Sequence, residues 1–247
     1  MIKKYFEYNK FDPIKSFRLH DTLNPKIWNK DMEINEDVRE SLLKISNDYF
    51  EHLDLGDDVE IDDIVLTGSL SNFNYSDYSD FDLHIIFDFK QINEDTDLVK
   101  KFLDAAKKIW NDEHDILILG YEVETYCQDK SEKHSASGQF SLLDNKWIKK
   151  PSKEDFTPDE DLIKRKAQTI MSKIDDVEID FRNHFNYEDL SEKLKKIWKK
   201  IRENRQKGLD KEGEFSIENL VFKLLRRNGY IGKLLELRTK IYDKQFK

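Results

Sequence analysis

The sequence has a single cysteine, Cys127, so it contains no framework of internal disulfide bonds. This cysteine usage is typical of a reducing compartment, and we expect a cytoplasmic protein. No stretch of about 20 apolar residues occurs, which predicts that the chain does not span a membrane, and no signal peptide is recognised at the N-terminus. Eight glycines and four prolines in 247 residues give no composition typical of a long disordered linker.

Positive charge is also in deficit. The chain has 42 Lys and Arg residues against 51 Asp and Glu residues, for a formal net charge of −9. This balance argues against a strong attraction of the whole molecule to nucleic acid and leaves only a local basic patch for such a role. The length suits one large domain or two modest ones with a real core.

The most informative pattern is a strand, a sharp turn and a second strand. The first strand ends at Gly68 and Ser69, and the second begins after ten more residues at Asp80. Asp80 and Asp82 are two residues apart, so both side chains lie on one face of this strand. Adjacent carboxylates raise each other's pKa unless a cation lies between them, and such oxygen ligands suit Mg²⁺ or Mn²⁺. The alternative, that the aspartates only solvate a strand edge, fits poorly with the apolar residues around them, because unused charge is costly in a buried strand.

The turn after the first strand is suited to an anion. Gly68 and Ser69 can supply a backbone N–H and a hydroxyl to a phosphate, and a short helix predicted to begin near Ser69 would add further N–H groups. The polar spacer 70–79 ends in Ser79, whose hydroxyl either extends the phosphate contacts or satisfies the backbone of the turn. A metal pair beside a phosphate cradle indicates phosphoryl or nucleotidyl transfer.

Gly-Ser, a spacer of ten residues and Asp-x-Asp between apolar residues resemble the signature of the DNA polymerase β-like nucleotidyltransferase superfamily, over residues 36–145. The resemblance implies an α+β fold with a mixed sheet flanked by helices, metal binding by Asp80 and Asp82, and triphosphate contacts from Gly68 and Ser69. The implied activity moves a nucleoside monophosphate from a nucleoside triphosphate to a hydroxyl acceptor, with Mg²⁺ or Mn²⁺ as cofactor and pyrophosphate as product. The alternative is a catalytically idle module of the same fold that binds nucleotide or a partner.

The resemblance also implies a third carboxylate on a later strand. Residues 116–127 predict that strand, interrupted near Gly120, and its alternation places Glu122 and Glu124 on one face. We prefer Glu124. The family motif has a single acid within an apolar strand, and Glu124 lies further into the predicted third strand than Glu122 does. In the family this acid positions and activates the attacking hydroxyl. The predicted catalytic and metal-binding residues are Asp80, Asp82 and Glu124, and the predicted nucleotide-binding residues are Gly68, Ser69 and Ser79.

A segment of small residues, 135–142, follows the predicted third strand and is similar to one in phage-encoded members of the superfamily. Its Ser137 and Gly138 either contact nucleotide or build a hairpin.

The first strand is predicted over residues 59–66, and helical periodicity predicts helices over about 35–53 and 94–111. The expected inner face of the second helix consists of Leu98, Phe102, Leu103, Ala106, Ile109 and Trp110. His84, on the same strand face as Asp82, either orients an aspartate or is a hydrogen-bonded structural histidine. Long amphipathic helices are predicted after about residue 155, with a break at Asn228 and Gly229. The sequence therefore predicts a catalytic domain with an N-terminal arm over residues 1–150 and a helical domain over residues 151–247.

One predicted C-terminal helix is strongly basic on its outer face. Two interpretations remain open: a solvated face balanced by acidic residues elsewhere, or a binding wall for triphosphate or an RNA backbone. The second interpretation favours an RNA or nucleotide acceptor, and a small molecule or a protein side chain are the other candidates. The basic residues are Lys193, Lys195, Lys196, Lys199, Lys200, Arg202, Arg205 and Lys207.

Overall fold

The computed structural model describes residues 13–56, 58–133, 136–153 and 155–246, and the expectation for residues 1–12 lies outside this part. The described chain is an α+β protein that divides into two units, one over residues 19–155 and one over residues 13–18 with 156–246. The helices are α1 (Glu36–His52), α2 (Thr96–Glu113), α3 (Glu160–Arg182), α4 (Tyr187–Glu212), α5 (Ile217–Arg227) and α6 (Tyr230–Lys244). The strands are β1 (Asp63–Thr67), β2 (Asp80–Phe87), β3 (Leu117–Ile118), β4 (Tyr121–Asp129), β5 (Gln139–Ser141) and β6 (Lys146–Lys149).

The first unit is built on a six-stranded mixed sheet with the strand order β3-β4-β2-β1-β5-β6. β2 and β4 are parallel neighbours at its centre, and the other pairs are antiparallel. Burial alternates strictly along β2. Phe81, Leu83, Ile85 and Phe87 are fully buried on one face, together with apolar residues of α1. Asp80 and Asp82 therefore lie on the opposite face, as the two-residue spacing predicts.

The helix predicted over residues 35–53 is confirmed as α1. Asn35 is its N-cap and accepts a hydrogen bond from the backbone N–H of Asp37, which satisfies one of the unpaired donors of the first turn. The strand before the turn is shorter than the predicted span from Val59, since β1 begins at Asp63. Asp63 pairs with Ile86, next to the last residue of β2, and Asp62 adds one backbone hydrogen bond to the carbonyl of Ile86 where the ladder ends.

The stretch predicted as one interrupted strand is an antiparallel hairpin of β3 and β4. Leu119 and Gly120 both have positive φ, 53° and 86°, as a two-residue hairpin turn of the primed type requires. Such a turn reverses the chain, so only β4 runs beside β2. The parallel pairing of β4 with β2 sets which residues of β4 lie beside the aspartates.

The face of α2 was predicted incorrectly in part. Leu98, Phe102 and Ile109 were expected to face inward, but they are 57%, 52% and 55% exposed. The residues that face the core are Val99, Leu103 and Trp110. The helix carries two apolar stripes one residue apart, and only the packed structure distinguishes them.

The second unit is helical, with α3, α4, α5 and α6 around one apolar core. Ile14 and Phe17 are buried in this core, so residues 13–18 group with the helices rather than with the expected catalytic domain. The predicted break at Asn228 and Gly229 is confirmed, since Gly229 is left-handed between α5 and α6. Among the described residues, no helix is long and apolar enough to cross a membrane.

Candidate active site

Three carboxylates converge where β2 and β4 run side by side. The parallel register sets Asp82 beside Glu124, and Asp80 two residues earlier on the same face. One carboxylate oxygen each of Asp80, Asp82 and Glu124 lies within 4.8 Å of the other two, and all three side chains are half-buried. Partial exposure leaves room for water and a substrate, so this all-oxygen donor set fits Mg²⁺ or Mn²⁺.

The two candidates for the third carboxylate occupy different surroundings. Glu122 is the register partner of Asp80, but its side chain is exposed and lies outside the group of three oxygens. Glu124 lies one alternation further along β4 and belongs to the group. The structure therefore brings Glu124, rather than Glu122, to the aspartates.

The turn after β1 fits closely around Asp82. Thr67, the last residue of β1, pairs with Asp82, and Gly68 follows with φ 77° and ψ −163°. A Cβ at Gly68 would lie 1.9 Å from Oδ2 of Asp82, which is inside any van der Waals contact. Glycine is needed here for two reasons, the positive φ and the carboxylate against its Cα. The predicted helix at Ser69 is only one 3₁₀ turn, Ser69–Ser71, too short for a helix dipole of any size.

The hydroxyls of Ser69 and Ser79 are hydrogen-bonded to each other. Ser69 Oγ and Ser79 Oγ are 2.6 Å apart, and the backbone N–H of Ser76 donates to Ser79 Oγ at 2.9 Å. Ser79 is buried, so its hydroxyl serves the framework of the loop, which is one of the two roles left open by the sequence. Ser69, next to Gly68, is half-buried, so its hydroxyl is more accessible than that of Ser79.

The segment around Gly138 packs against the loop that follows β1. A Cβ at Gly138 would lie 2.0 Å from the carbonyl oxygen of Ser71, so the two backbones are in direct contact. The Asn72 side chain donates to Ser137 Oγ at 2.5 Å. These contacts favour the structural alternative for Ser137 and Gly138.

Two residues that the sequence analysis did not single out surround Glu124. The Tyr126 hydroxyl donates to Glu124 Oε2 at 2.5 Å, and Lys107 Nζ of α2 lies 3.7 Å from the centre of the Tyr126 ring. Burial, followed by the charges of Asp82 and Glu124, raises the pKa of Tyr126, which keeps the phenol protonated as a donor. Burial lowers the pKa of Lys107, although the same two carboxylates oppose that shift. Tyr126 was detectable as the next residue on the face of Glu124, whereas no sequence signal separates Lys107 from the other lysines of α2.

His84 stacks on the ring of Tyr126. The two rings are stacked with centres 5.0 Å apart and planes 11° apart, and His84 Nδ1 lies 2.9 Å from Oε1 of Gln128. The expectation of a hydrogen-bonded structural histidine is confirmed. Tyr126 is thus held by His84 on one side and covered by Lys107, so the hydroxyl that orients Glu124 has little freedom.

Comparisons of the chain with protein-family models, with curated proteins and with solved structures return no match.

Proposed function

We propose that this protein is a metal-dependent nucleotidyltransferase that moves a nucleoside monophosphate from a nucleoside triphosphate to a hydroxyl acceptor. The observation that carries the proposal is the convergence of Asp80, Asp82 and Glu124 within 4.8 Å, with the Gly68 turn directly against Asp82. A cluster of three carboxylates on adjacent strands repels itself unless a cation is present. The Gly68 turn lies against Asp82, so a phosphate bound at this turn would be close to a cation held by the carboxylates.

In this proposal the carboxylates bind the metal and the turn after β1 binds the triphosphate. Asp80, Asp82 and Glu124 would hold Mg²⁺ or Mn²⁺, which when bound stabilises negative charge on phosphate oxygens and lowers the pKa of a hydroxyl. The backbone N–H groups after Gly68 and the hydroxyl of Ser69 would receive the triphosphate. The acceptor oxygen bonds to the α-phosphorus as the bond to the bridging oxygen of pyrophosphate breaks.

Glu124 has a second task in this proposal. Tyr126 and its neighbours orient the Glu124 carboxylate, which can then align the attacking hydroxyl and take its proton. Orientation by a second residue is the usual means of keeping a catalytic carboxylate in one rotamer.

The activity is tested by incubating the protein with each of four labelled nucleoside triphosphates, Mg²⁺ or Mn²⁺, and total cellular RNA or small molecules. Products are then separated by size. Label in RNA or in a small molecule identifies the acceptor class. Nucleotide binding without transfer under every condition would favour the idle module of the same fold.

The choice of the third carboxylate can be tested by comparing Glu124→Gln with Glu122→Gln. We expect Glu124→Gln to lower kcat by on the order of 100-fold with little change in nucleotide affinity, because its task lies with the attacking hydroxyl. Glu122→Gln is the matched control, since it changes the same group two residues away on an exposed site. Steady-state kinetics measure both effects. A dead Glu122 variant beside an active Glu124 variant would reverse the assignment.

α4 is the candidate surface for an RNA acceptor. Part of its positive charge is compensated by ion pairs. Lys193 pairs with Asp180 at 3.1 Å, Lys195 with Glu192 at 2.9 Å, and Lys199 with Glu203 at 3.8 Å. Such exposed pairs contribute little to stability but reduce the field that an RNA backbone would meet. Lys196 and Lys200 are exposed one turn apart and are the better candidates for phosphate contacts.

If RNA is the acceptor, the double charge reversal of Lys196 and Lys200 to Glu should weaken its binding. Each lost phosphate contact lowers the slope of log affinity against log salt by about 0.7 for a single strand, so the slope should fall by about 1.4. Fluorescence anisotropy of labelled RNA at several salt concentrations measures this slope. Charge reversal of Lys240 and Lys244 on α6 is the control for net charge. An unchanged slope in the α4 variant would exclude α4 as the RNA surface.

A further inference from the structure

The helical unit contains a second group of charged side chains between α4 and α5, in which basic residues lie near the carboxylate of Glu214. Arg205 of α4 donates from Nε to Oδ1 of Asn219 at 3.1 Å, and its guanidinium lies 4.1 Å from the centre of the Phe222 ring. Asn219, Lys223 and Arg226 are spaced i, i+4 and i+7 on α5, so they form one stripe along that helix. The hydrogen bond to Asn219 places Arg205 beside this stripe.

The Arg205 side chain is held in place before any ligand arrives. Asn219 is buried, and its side-chain amide donates to the backbone carbonyl of Glu214 at 2.7 Å, which fixes the oxygen that receives Arg205. The Phe222 ring supports the flat face of the guanidinium. The Nε of Arg205 is therefore used by Asn219, and the guanidinium is held against α5, the helix that also carries Lys223 and Arg226.

Lys223 is half-buried in this group without a bonded counterion. Within the part of the chain that the structure describes, its ammonium makes no ion pair and no hydrogen bond. Burial lowers the pKa of Lys223, the charge of Glu214 opposes this, and Arg227, Arg226 and Arg205 lower it further. Burial and the charge of Arg226 also lower the pKa of Arg205. Like charges therefore lie near one another in a partly buried position, and a bound anion would offset their repulsion.

Arg227 supports the group from the side of the core rather than joining it. It is buried, donates from Nη1 to Ser16 Oγ at 2.5 Å and lies over the Phe17 ring at 4.7 Å. Its charge contributes to the local potential, but its guanidinium is engaged with the N-terminal segment. The groups left to meet a ligand are those of Arg205, Lys223 and Arg226.

We propose that Arg205, Lys223 and Arg226 form a binding site for the phosphate groups of a di- or triphosphate. Two guanidiniums and one ammonium match an anion with several oxygens and more than one negative charge, because each forked guanidinium can bind two oxygens and the ammonium acts as a point charge. A single carboxylate would leave part of this charge uncompensated. A polyphosphate spans the three side chains and relieves their mutual repulsion.

This site uses no residue of the carboxylate cluster and is independent of the proposed transfer activity. Pyrophosphate and the phosphate chain of a nucleotide have the same chemistry here, and binding of each can be measured separately. In EDTA, where no divalent cation is available to the carboxylates, isothermal titration calorimetry should show binding of pyrophosphate to the whole chain at low salt. Tighter binding of ATP than of pyrophosphate would identify a nucleotide as the ligand, and equal or weaker binding would identify the phosphates alone.

Lys223→Met keeps most of the side-chain stem and removes the charge. We expect it to weaken pyrophosphate binding at least about tenfold, the usual effect of losing a charge-assisted contact. Lys244→Met, on an exposed lysine of α6 outside the group, should bind within about twofold of the parent. Arg226→Gln, on an exposed side chain, should also weaken binding and serves as the second variant if Lys223→Met fails to fold.

Thermal unfolding supplies a readout that a merely structural lysine would not give. Without anions, Lys223→Met should unfold at the same temperature as the parent or higher, because it relieves repulsion from the arginines. Pyrophosphate should raise the unfolding temperature of the parent but not that of the variant. No binding to the parent in EDTA, or equal binding to the parent, Lys223→Met and Arg226→Gln, would overturn the proposal.

Discussion

Asp82→Asn should abolish nucleotidyl transfer while the protein remains folded. Asp82 is one of the three carboxylates within 4.8 Å of each other, and it is the one against which the Gly68 turn is packed. An amide keeps the shape of the side chain but removes the charge that would bind the cation. We expect kcat/KM to fall on the order of 1000-fold or more, as when a central electrostatic contact to the transition state is lost. Asp80→Asn should act in the same way.

Folding is the control for this loss. Removing one charge from the crowded group should leave the unfolding temperature in metal-free buffer unchanged or higher, because repulsion among the carboxylates is reduced. Asp77→Asn, on an exposed residue of the same loop, should keep full activity. Calorimetry of Mn²⁺ binding separates loss of the cation from loss of the fold. Full turnover by Asp82→Asn would remove Asp82 from the active site.

The second large effect is expected from Gly68→Ala. The new Cβ would lie 1.9 Å from Oδ2 of Asp82, so the carboxylate must rotate away or the turn must move. The backbone conformation of Gly68, φ 77° with ψ −163°, adds a cost of about 1–3 kcal/mol for any residue with a Cβ. We expect transfer to fall on the order of 100-fold, since a displacement of about 1 Å at a reacting group has an effect of that size.

Gly120→Ala separates the two contributions. Gly120 also has a positive φ, 86°, but a Cβ there would meet nothing within 4 Å. Both alanine variants should lose backbone stability in chemical denaturation, and Gly68→Ala should lose more of it because its φ and ψ lie in a region nearly restricted to glycine. Only Gly68→Ala should also lose Mn²⁺ affinity and transfer. Equal activity of both variants would mean that the position of Asp82 relative to the turn is not important for catalysis.

Much of the candidate site follows from short-range patterns. Alternation along a strand was enough to place Asp80 and Asp82 on one face, and the glycine of the Gly-Ser pair marked the turn. Alternation also placed Glu122 and Glu124 on one face but could not choose between them, because burial depends on which neighbours pair with β4. The hairpin at Leu119 escaped detection, since a left-handed leucine has no sequence signal of its own.

What the sequence could not supply is contact between elements distant along the chain. Lys107 reaches the Tyr126 ring from α2, and Arg205 meets α5 through Asn219; neither contact has a characteristic spacing. The apolar stripes of α2 show the same limit. Leu98 and Val99 are equally apolar, and only packing against β2 and α1 buries the second of them.

The central claim is that these carboxylates serve nucleotidyl transfer, and the position of the label in the nucleotide tests it most directly. The protein is incubated with Mg²⁺, acceptor and a nucleoside triphosphate labelled either at the α-phosphate or at the γ-phosphate. Transfer to the acceptor should occur only from the α position, the γ label should appear in pyrophosphate, and both should cease in EDTA and in Asp82→Asn. Label passing to the acceptor from the γ position, or undiminished α transfer by Asp82→Asn, would contradict the account.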